Sequence, residues 1–227
     1  MKENICNIPI HDIFGETCGC PICRIEKMLE DIYVEYTTGP AMMAPDVRII
    51  TNKKGFCKKH FDLMAEKGPR LSNALILQTH LDEIKQNLLP QNSKKIPTTA
   101  QQKGIAQLMS SCYICDRIEH DTVHFLSTVF AEFCEDENFR KSYESQEFLC
   151  LSHYSLVMKC VKNDSRLKKA YKKEFITATN NLCKKYLESL VDDVTKFSKM
   201  YDYKNRGKDF GTSKDSIERS IDFLCGK

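Results

Sequence analysis

The chain contains one unit of four potential metal ligands twice, in the same order and with nearly the same spacing. The first copy is Cys20-x-x-Cys23 followed by Cys57-x-x-His60, and the second is Cys112-x-x-Cys115 followed by Cys150-x-x-His153. The offset between the copies is 92 residues at the first cysteine and 93 residues at the third. We interpret this agreement as an internal duplication.

Each copy supplies three thiols and one imidazole, which together form the ligand set of a closed structural zinc site. A Cys-x-x-His at the start of a helix places both side chains on one face of the first turn. We therefore expect two zinc ions, each held by one repeat. The first set is Cys20, Cys23, Cys57 and His60, and the second is Cys112, Cys115, Cys150 and His153. Three alternatives stay open. The repeats exchange ligand pairs, so that Cys20 and Cys23 join Cys150 and His153; the ligands hold an iron–sulfur cluster; or the cysteines form disulfides or are free thiols.

The segments between the ligand pairs have the apolar periodicity of helices. Apolar residues recur at intervals of three and four after Cys23 and after Cys115. Only 9 glycines and 7 prolines occur in 227 residues, which disfavours a turn-rich β-sandwich. We predict an all-α fold in which duplicated helical zinc-binding units form a multi-helix bundle. Within the first unit, Pro45 to Gly55 is expected to be a loop.

The duplication also predicts the order of segments along the chain. Residues 1–90 form the first repeat, and residues 105–200 form the second. Residues 91–104 are interpreted as a linker, because the stretch is polar, Pro90 directly precedes it and Pro97 lies within it. Residues 201–227 are expected to be a C-terminal extension with one short helix, and Leu71 to Leu89 is expected to be a strong helix between the copies.

Charge and segment composition restrict the partners and the compartment. The formal net charge is only +3, which disfavours a dedicated nucleic-acid-binding protein. Met1 to Glu16 lacks the apolar stretch of a signal peptide, and no run of residues is apolar enough to predict a membrane span. We therefore expect a cytoplasmic protein, in which paired cysteines are more often metal ligands than disulfides.

Several residues of reactive type lie outside the duplicated pattern. Cys18 gives the first motif an extra thiol, which is either a spare or redox-active ligand or a bystander. His120 and His124 are four residues apart on a predicted helix and are either an open metal site or two ordinary helix histidines. The other cysteines are expected to act as small buried hydrophobes: Cys6, Cys134, Cys160, Cys183 and Cys225.

A longer set of short motifs supports a family resemblance. These motifs are Gly39-Pro40, Asp46-Val47-Arg48, the stretch 51–60, the stretch 74–81, and the tail segments 201–205 and 213–221. With them the chain resembles an uncharacterised domain-of-unknown-function family of anaerobic Gram-positive bacteria. The resemblance implies a cytosolic, duplicated, zinc-binding helical protein and supplies no activity.

The same resemblance directs attention to polar residues that metal binding does not explain. They either line a pocket near the first zinc site or tie loops to helices: Asp46, Arg48, Asn52, Tyr201, Asp202 and Tyr203.

The function that these patterns favour is a metal-stabilised binding or interaction module, whose partner is a protein or a small molecule. The alternatives are a thiol or metal redox sensor, using zinc or an iron–sulfur cluster, and, with less support, a metal-dependent enzyme. The sequence contains no phosphate-binding glycine loop and no G-x-S-x-G motif, so no catalytic residue is predicted.

Overall fold

The computed structural model describes residues 7–205 and 209–226, and within these ranges the chain forms eleven α-helices and no β-strand. The helices are α1 (Asn7–Gly15), α2 (Pro21–Thr38), α3 (Pro45–Lys54), α4 (Lys58–Lys67), α5 (Arg70–Asn87), α6 (Thr99–Met109), α7 (Tyr113–Glu135), α8 (Glu137–Glu144), α9 (Leu151–Asn163), α10 (Lys169–Lys199) and α11 (Ser216–Cys225). The all-α prediction is confirmed. The helix predicted over Leu71 to Leu89 corresponds to α5, and the short helix of the C-terminal extension corresponds to α11.

The helices belong to two compact units that differ from the segments predicted from the repeats. The terminal unit joins the chain up to Ile25 with the chain from Thr122 onward, and the central unit is Glu26–Asp121. Each unit therefore contains the Cys-x-x-Cys of one repeat and the Cys-x-x-His of the other, rather than residues 1–90 or 105–200. The predicted linker over residues 91–104 includes the start of α6 at Thr99.

The core of the terminal unit is a cluster of aromatic rings. Phe133 on α7 and Tyr143 on α8 both pack against Phe175 on α10, with ring centroids 4.9 Å apart in each pair. Phe14 on α1 lies 5.7 Å from Tyr143. These rings are almost completely buried, and the Tyr143 hydroxyl is 2.8 Å from the hydroxyl of Thr179, so its polar atom has a partner inside the core.

The central unit contains a helix where a loop was predicted. Pro45 occupies the first turn of α3, where its fixed φ suits a helix and its missing N–H is not needed. Only Val47 and Thr51 of this helix are buried. A helix with so few buried positions needs few apolar residues at helical spacing, so the sequence contained little sign of it. The loop prediction for Pro45 to Gly55 was therefore wrong, and α3 packs against α5.

Candidate metal centres

The structure brings all eight predicted ligands together in two groups of four. In each group one ligand atom per residue lies within 4.8 Å of the others. The terminal site consists of Cys20, Cys23, Cys150 and His153, and the central site consists of Cys57, His60, Cys112 and Cys115. The expected grouping within each repeat was wrong. The exchanged pairing is observed instead, so each site takes Cys-x-x-Cys from one repeat and Cys-x-x-His from the other.

The atoms of the terminal site are spaced like the corners of a metal-centred tetrahedron. The His153 Nδ1 atom lies 3.1 Å from Cys150 Sγ, 3.3 Å from Cys23 Sγ and 3.6 Å from Cys20 Sγ. The sulfur atoms of Cys23 and Cys150 are 3.7 Å apart. Zinc–ligand distances of about 2.3 Å to sulfur and about 2.0 Å to nitrogen give tetrahedral edges of roughly 3.8 Å and 3.5 Å. The site therefore has the dimensions needed for one tetrahedral ion.

The central site has nearly the same dimensions. The His60 Nδ1 atom lies 3.2 Å from the sulfur atoms of both Cys57 and Cys112, and 3.4 Å from Cys115 Sγ. Cys57 and Cys115 are 3.9 Å apart at their sulfur atoms. The two sites differ in exposure, because Cys115 is exposed, whereas Cys20 and Cys150 of the terminal site are buried.

Helix starts orient the ligands of both sites. Cys57 and Cys150 are the N-cap residues of α4 and α9, with extended backbone angles, so the histidine three residues later lies in the first helical turn. Cys20 directly precedes α2, and Cys112 directly precedes α7. Each site is therefore formed where two helices begin.

Backbone contacts explain the pairing observed in the central site. The Tyr113 N–H donates a hydrogen bond to the Gly55 carbonyl over 3.0 Å, and the Ser111 hydroxyl donates to the Lys54 carbonyl over 2.6 Å. Gly55 has a φ of +61°, and a Cβ at this position would lie 3.0 Å from the His80 ring. A glycine is therefore required at the point where the chain that leads to Cys57 meets the chain that follows Cys112.

In the terminal site, side chains make the corresponding connection. The Gly19 N–H donates to the Glu147 carboxylate over 2.6 Å, and the Gln146 amide donates to the Phe14 carbonyl over 2.9 Å. The Arg24 guanidinium donates to Gln146 Oε1, also over 2.9 Å. These bonds hold the chain around Cys20 against the chain that precedes Cys150.

The end of α11 covers the sulfur atoms of the terminal site. Gly226 has a φ of +77°, and a Cβ there would lie 3.4 Å from Cys23 Sγ and 3.5 Å from Cys150 Sγ. A residue with a side chain at position 226 would have to adopt a strained backbone directly against the thiols. The glycine lets the backbone approach these two thiols closely.

The protonation of the thiols is consistent with cation binding. Burial raises the pKa of the Cys20 thiol. Cys115 is exposed as a residue, but partial desolvation of its sulfur atom and the neighbouring thiols of Cys112 and Cys57 raise its pKa as well. Hydrogen bonds from Cys20 and Cys23 lower the pKa of Cys150. Three clustered thiols cannot all ionise without a compensating charge, and a divalent cation supplies that charge as it displaces the protons.

A buried glutamate orients the histidine of the central site. The Nε2 atom of His60 lies 3.1 Å from Glu30 Oε1, on the side of the ring opposite the sulfur atoms. The Glu30 side chain is only 6% exposed, and it also pairs with Lys27 over 2.9 Å and with Lys59 over 2.5 Å. Burial raises the pKa of the Glu30 carboxyl, but the lysine hydrogen bonds outweigh it and lower the pKa to about 2. Glu30 is therefore ionised, fixes the tautomer of His60 and directs Nδ1 to the sulfur atoms.

Sequence reasoning missed Glu30 because it compared the two repeats. The second repeat has Thr122 at the position equivalent to Glu30, at the offset of 92 residues. The glutamate therefore belongs to no shared motif, and its role is visible only from its contact with His60.

Removal of this carboxylate is expected to weaken metal binding at the central site. Loss of such a partner of a metal-ligating histidine typically lowers metal affinity about 10- to 100-fold. We expect Glu30→Ala to lower the affinity of the central site by this amount and to leave the terminal site unchanged. Competition with a chromophoric chelator measures both affinities. Glu35→Gln, on an exposed position of the same helix, is the control, and equal affinities in wild type and Glu30→Ala would contradict the role of Glu30.

The remaining cysteines belong to neither site. Cys18 is exposed and its thiol lies 3.7 Å from a Glu16 carboxylate oxygen. Cys134 is buried, as predicted, and Cys160 and Cys183 are half-buried, whereas Cys225 is exposed, so the prediction of a buried position was wrong for Cys225. Cys6 lies outside the described residues.

The other polar candidates have local partners. Neither His120 nor His124 belongs to a group of three or more potential ligands in the described part of the chain, and the His120 ring is 2.7 Å from an Asp121 oxygen. Arg48 donates to the Leu75 carbonyl over 2.7 Å. Arg48 therefore ties α3 to α5, which supports its interpretation as a structural residue.

Asn52 and Asp202 also have local structural partners. Asn52 accepts hydrogen bonds from Thr79 and His80 on α5, each over 2.8 Å. Asp202 accepts a hydrogen bond from the Lys204 N–H over 3.1 Å, within the turn that follows α10. These contacts fit the alternative in which the polar residues hold loops and helices in place.

The fold and the two sites together define an all-helical protein with two Cys3His groups that could each bind a metal ion. The chain belongs to the family described as a family of unknown function (DUF6062), which matches residues 1–227. Searches of the curated proteins and of the solved structures found no match. None of the described helices combines the length and the apolar character needed to cross a membrane.

Proposed function

We propose that this protein is a binding module whose helical body is stabilised by two structural zinc ions. The observation that carries the proposal is the presence of two complete four-ligand groups with tetrahedral spacing. A set of four protein ligands leaves zinc no open position for a catalytic water, so these ions would serve structure and not catalysis. The residues that would hold the ions are the eight ligands of the terminal and central sites. The cytoplasmic location stays a prediction.

The ligand spacing favours a single ion over an iron–sulfur cluster in each site. The sulfur–sulfur distances of 3.7 Å and 3.9 Å match the edges of a tetrahedron around one metal atom. A cluster places several iron atoms between its cysteine ligands and so holds their sulfur atoms farther apart. Thiolate and imidazole ligands both suit zinc.

A cleft in the terminal unit supports a binding role. It has a volume of about 890 Å³ and lies between the end of α8 and α10. This volume falls within the range of roughly 300–1,000 Å³ that is usual for small-molecule sites. Its wall contains Lys173 and Lys185 as well as Glu144 and Glu174, so it suits a polar ligand that carries both donors and acceptors.

Metal analysis of the purified protein tests this proposal. We expect two zinc ions per chain and no visible absorption in protein that is purified without oxygen, since zinc has a filled d shell and undergoes no redox change. Elemental mass spectrometry and an absorption spectrum measure these quantities. Iron with the absorption of a cluster would favour the redox alternative, and metal-free folded protein would contradict the proposal.

One observation supports the redox-sensor alternative. Cys115 is exposed, and thiolates that solvent reaches are oxidised more readily than buried ones. An oxidant would therefore attack the central site before the terminal site. Cys18, which the sequence suggested as the reactive thiol, is exposed but belongs to neither four-ligand group.

A further inference from the structure

A third group of potential metal ligands lies in the terminal unit, apart from both cysteine sites. It consists of His11 on α1, Glu132 in the last turn of α7 and Asp136 between α7 and α8. One ligand atom from each residue lies within 4.8 Å of the other two. The His11 Nε2 atom is 3.0 Å from a Glu132 carboxylate oxygen. We call these three residues the His11 group.

The fold holds each member of the His11 group in place. The His11 ring packs edge-on against Phe139, with centroids 5.3 Å apart, and Phe139 is 1% exposed. Asp136 is the N-cap of α8, and its carboxylate accepts a hydrogen bond from the Asn138 N–H over 2.8 Å. The Glu132 side chain is only 15% exposed. The three ligand positions are therefore preorganised by a buried ring, a helix cap and a helix end.

We propose that the His11 group binds a divalent cation in an open site. One imidazole nitrogen and two carboxylate oxygens form a ligand set that suits manganese, iron(II) or zinc. Manganese and iron(II) are harder ions than zinc, and the soft thiolate sets of the cysteine sites suit them less well. Three protein ligands leave coordination positions for water or for a ligand from solution, unlike the closed cysteine sites. The proposal does not depend on the two structural zinc ions.

Manganese titration tests the site in the full-length protein as purified. Mn²⁺ binds thiolate and imidazole sets more weakly than zinc does, so it probes the carboxylate group without displacing zinc from the cysteine sites. Loss of the free Mn²⁺ signal in electron paramagnetic resonance reports binding. We expect one saturable Mn²⁺ per wild-type chain, and at least a tenfold weaker binding in Glu132→Gln and in His11→Phe.

The variants are chosen to separate ligand loss from unfolding. His11→Phe keeps an aromatic ring against Phe139, and Glu135→Gln removes a neighbouring exposed carboxylate that pairs with Lys168 over 3.3 Å. Glu135→Gln should bind Mn²⁺ like wild type. The metal content of the cysteine sites and the circular dichroism spectrum check that each variant is folded. Absence of saturable binding to wild type, or equal binding by wild type and folded His11→Phe, would overturn the proposal.

Discussion

The double variant Cys23→Ser with Cys150→Ser is expected to keep one zinc ion per chain, whereas Cys23→Ser with Cys57→Ser is expected to keep none. Cys23 and Cys150 belong to the same site, so the first double variant damages the terminal site alone. Cys57 belongs to the central site, so the second damages both. Loss of one thiolate from a four-ligand set leaves an incomplete site in either case.

This pair of variants distinguishes the two ways in which the repeats can combine. If each repeat bound its own ion, the result would be reversed, and Cys23→Ser with Cys57→Ser would keep one ion. Elemental analysis after removal of loosely bound metal gives the count. Cys160→Ser with Cys225→Ser carries the same number of substitutions outside the sites and should keep both ions.

The lengths of the helices explain why the sequence favoured the wrong grouping. With a rise of 1.5 Å per residue, the 18 residues of α2 extend about 27 Å, and the 10 residues of α3 extend only about 15 Å. An extended loop over Pro45 to Gly55 would reach roughly 35 Å, enough to bring Cys57 back to the start of α2. Because the segment is a helix, it spans less than half of that distance, and Cys57 lies in a different unit from Cys20.

In the second repeat, too, a long helix is followed by a short one. Helix α7 has 23 residues, which extend about 35 Å, and α8 has only 8, which extend about 12 Å. Cys150 lies in the terminal unit, whereas Cys112 and Cys115 lie in the central unit. The repeated motif predicted the eight residues of the two sites. It did not predict which Cys-x-x-Cys joins which Cys-x-x-His, because that depends on the helices between the motifs, whose lengths local patterns do not define well.

Residues that act through tertiary contacts were beyond the reach of sequence patterns. His11 and Glu132 are 121 positions apart, and neither belongs to the duplicated motif. Glu30 is 30 positions from His60 and has Thr122 as its equivalent in the other repeat. By contrast, the eight cysteine and histidine ligands and the helix α5 follow from spacing and periodicity, which are local properties.

Metal removal is expected to destabilise the fold by an amount comparable with its whole stability. A structural zinc ion of this type contributes on the order of 10 kcal/mol to folding, and domains have net stabilities of about 5–15 kcal/mol. For a chain of this length, 1 kcal/mol corresponds to roughly 2–4 °C in Tm, so loss of one ion should lower Tm by about 20–40 °C. Thermal unfolding followed by circular dichroism, with and without a strong chelator, measures the change.

Controls connect the loss of stability to the two sites. Zinc added after removal of the chelator should restore the original Tm. The chelator should not change the circular dichroism of Cys23→Ser with Cys57→Ser, because both sites of this variant are already incomplete. A protein that keeps its Tm within a few degrees after both ions are removed would contradict a structural role for the metal.

The two proposed ions close loops of different length, but this difference is expected to make their contributions to stability only slightly unequal. The terminal site joins Cys23 to His153 across 130 positions, and the central site joins His60 to Cys112 across 52 positions. Each doubling of loop length adds only about 0.6 kcal/mol to the entropic free-energy cost of closing the loop. Loop length alone therefore gives the terminal ion an advantage of less than about 1 kcal/mol, which is small beside the metal–ligand bonds. A much larger difference in Tm between Cys23→Ser and Cys57→Ser would have to come from the packing around each site, which the buried terminal thiols and the exposed Cys115 make unequal.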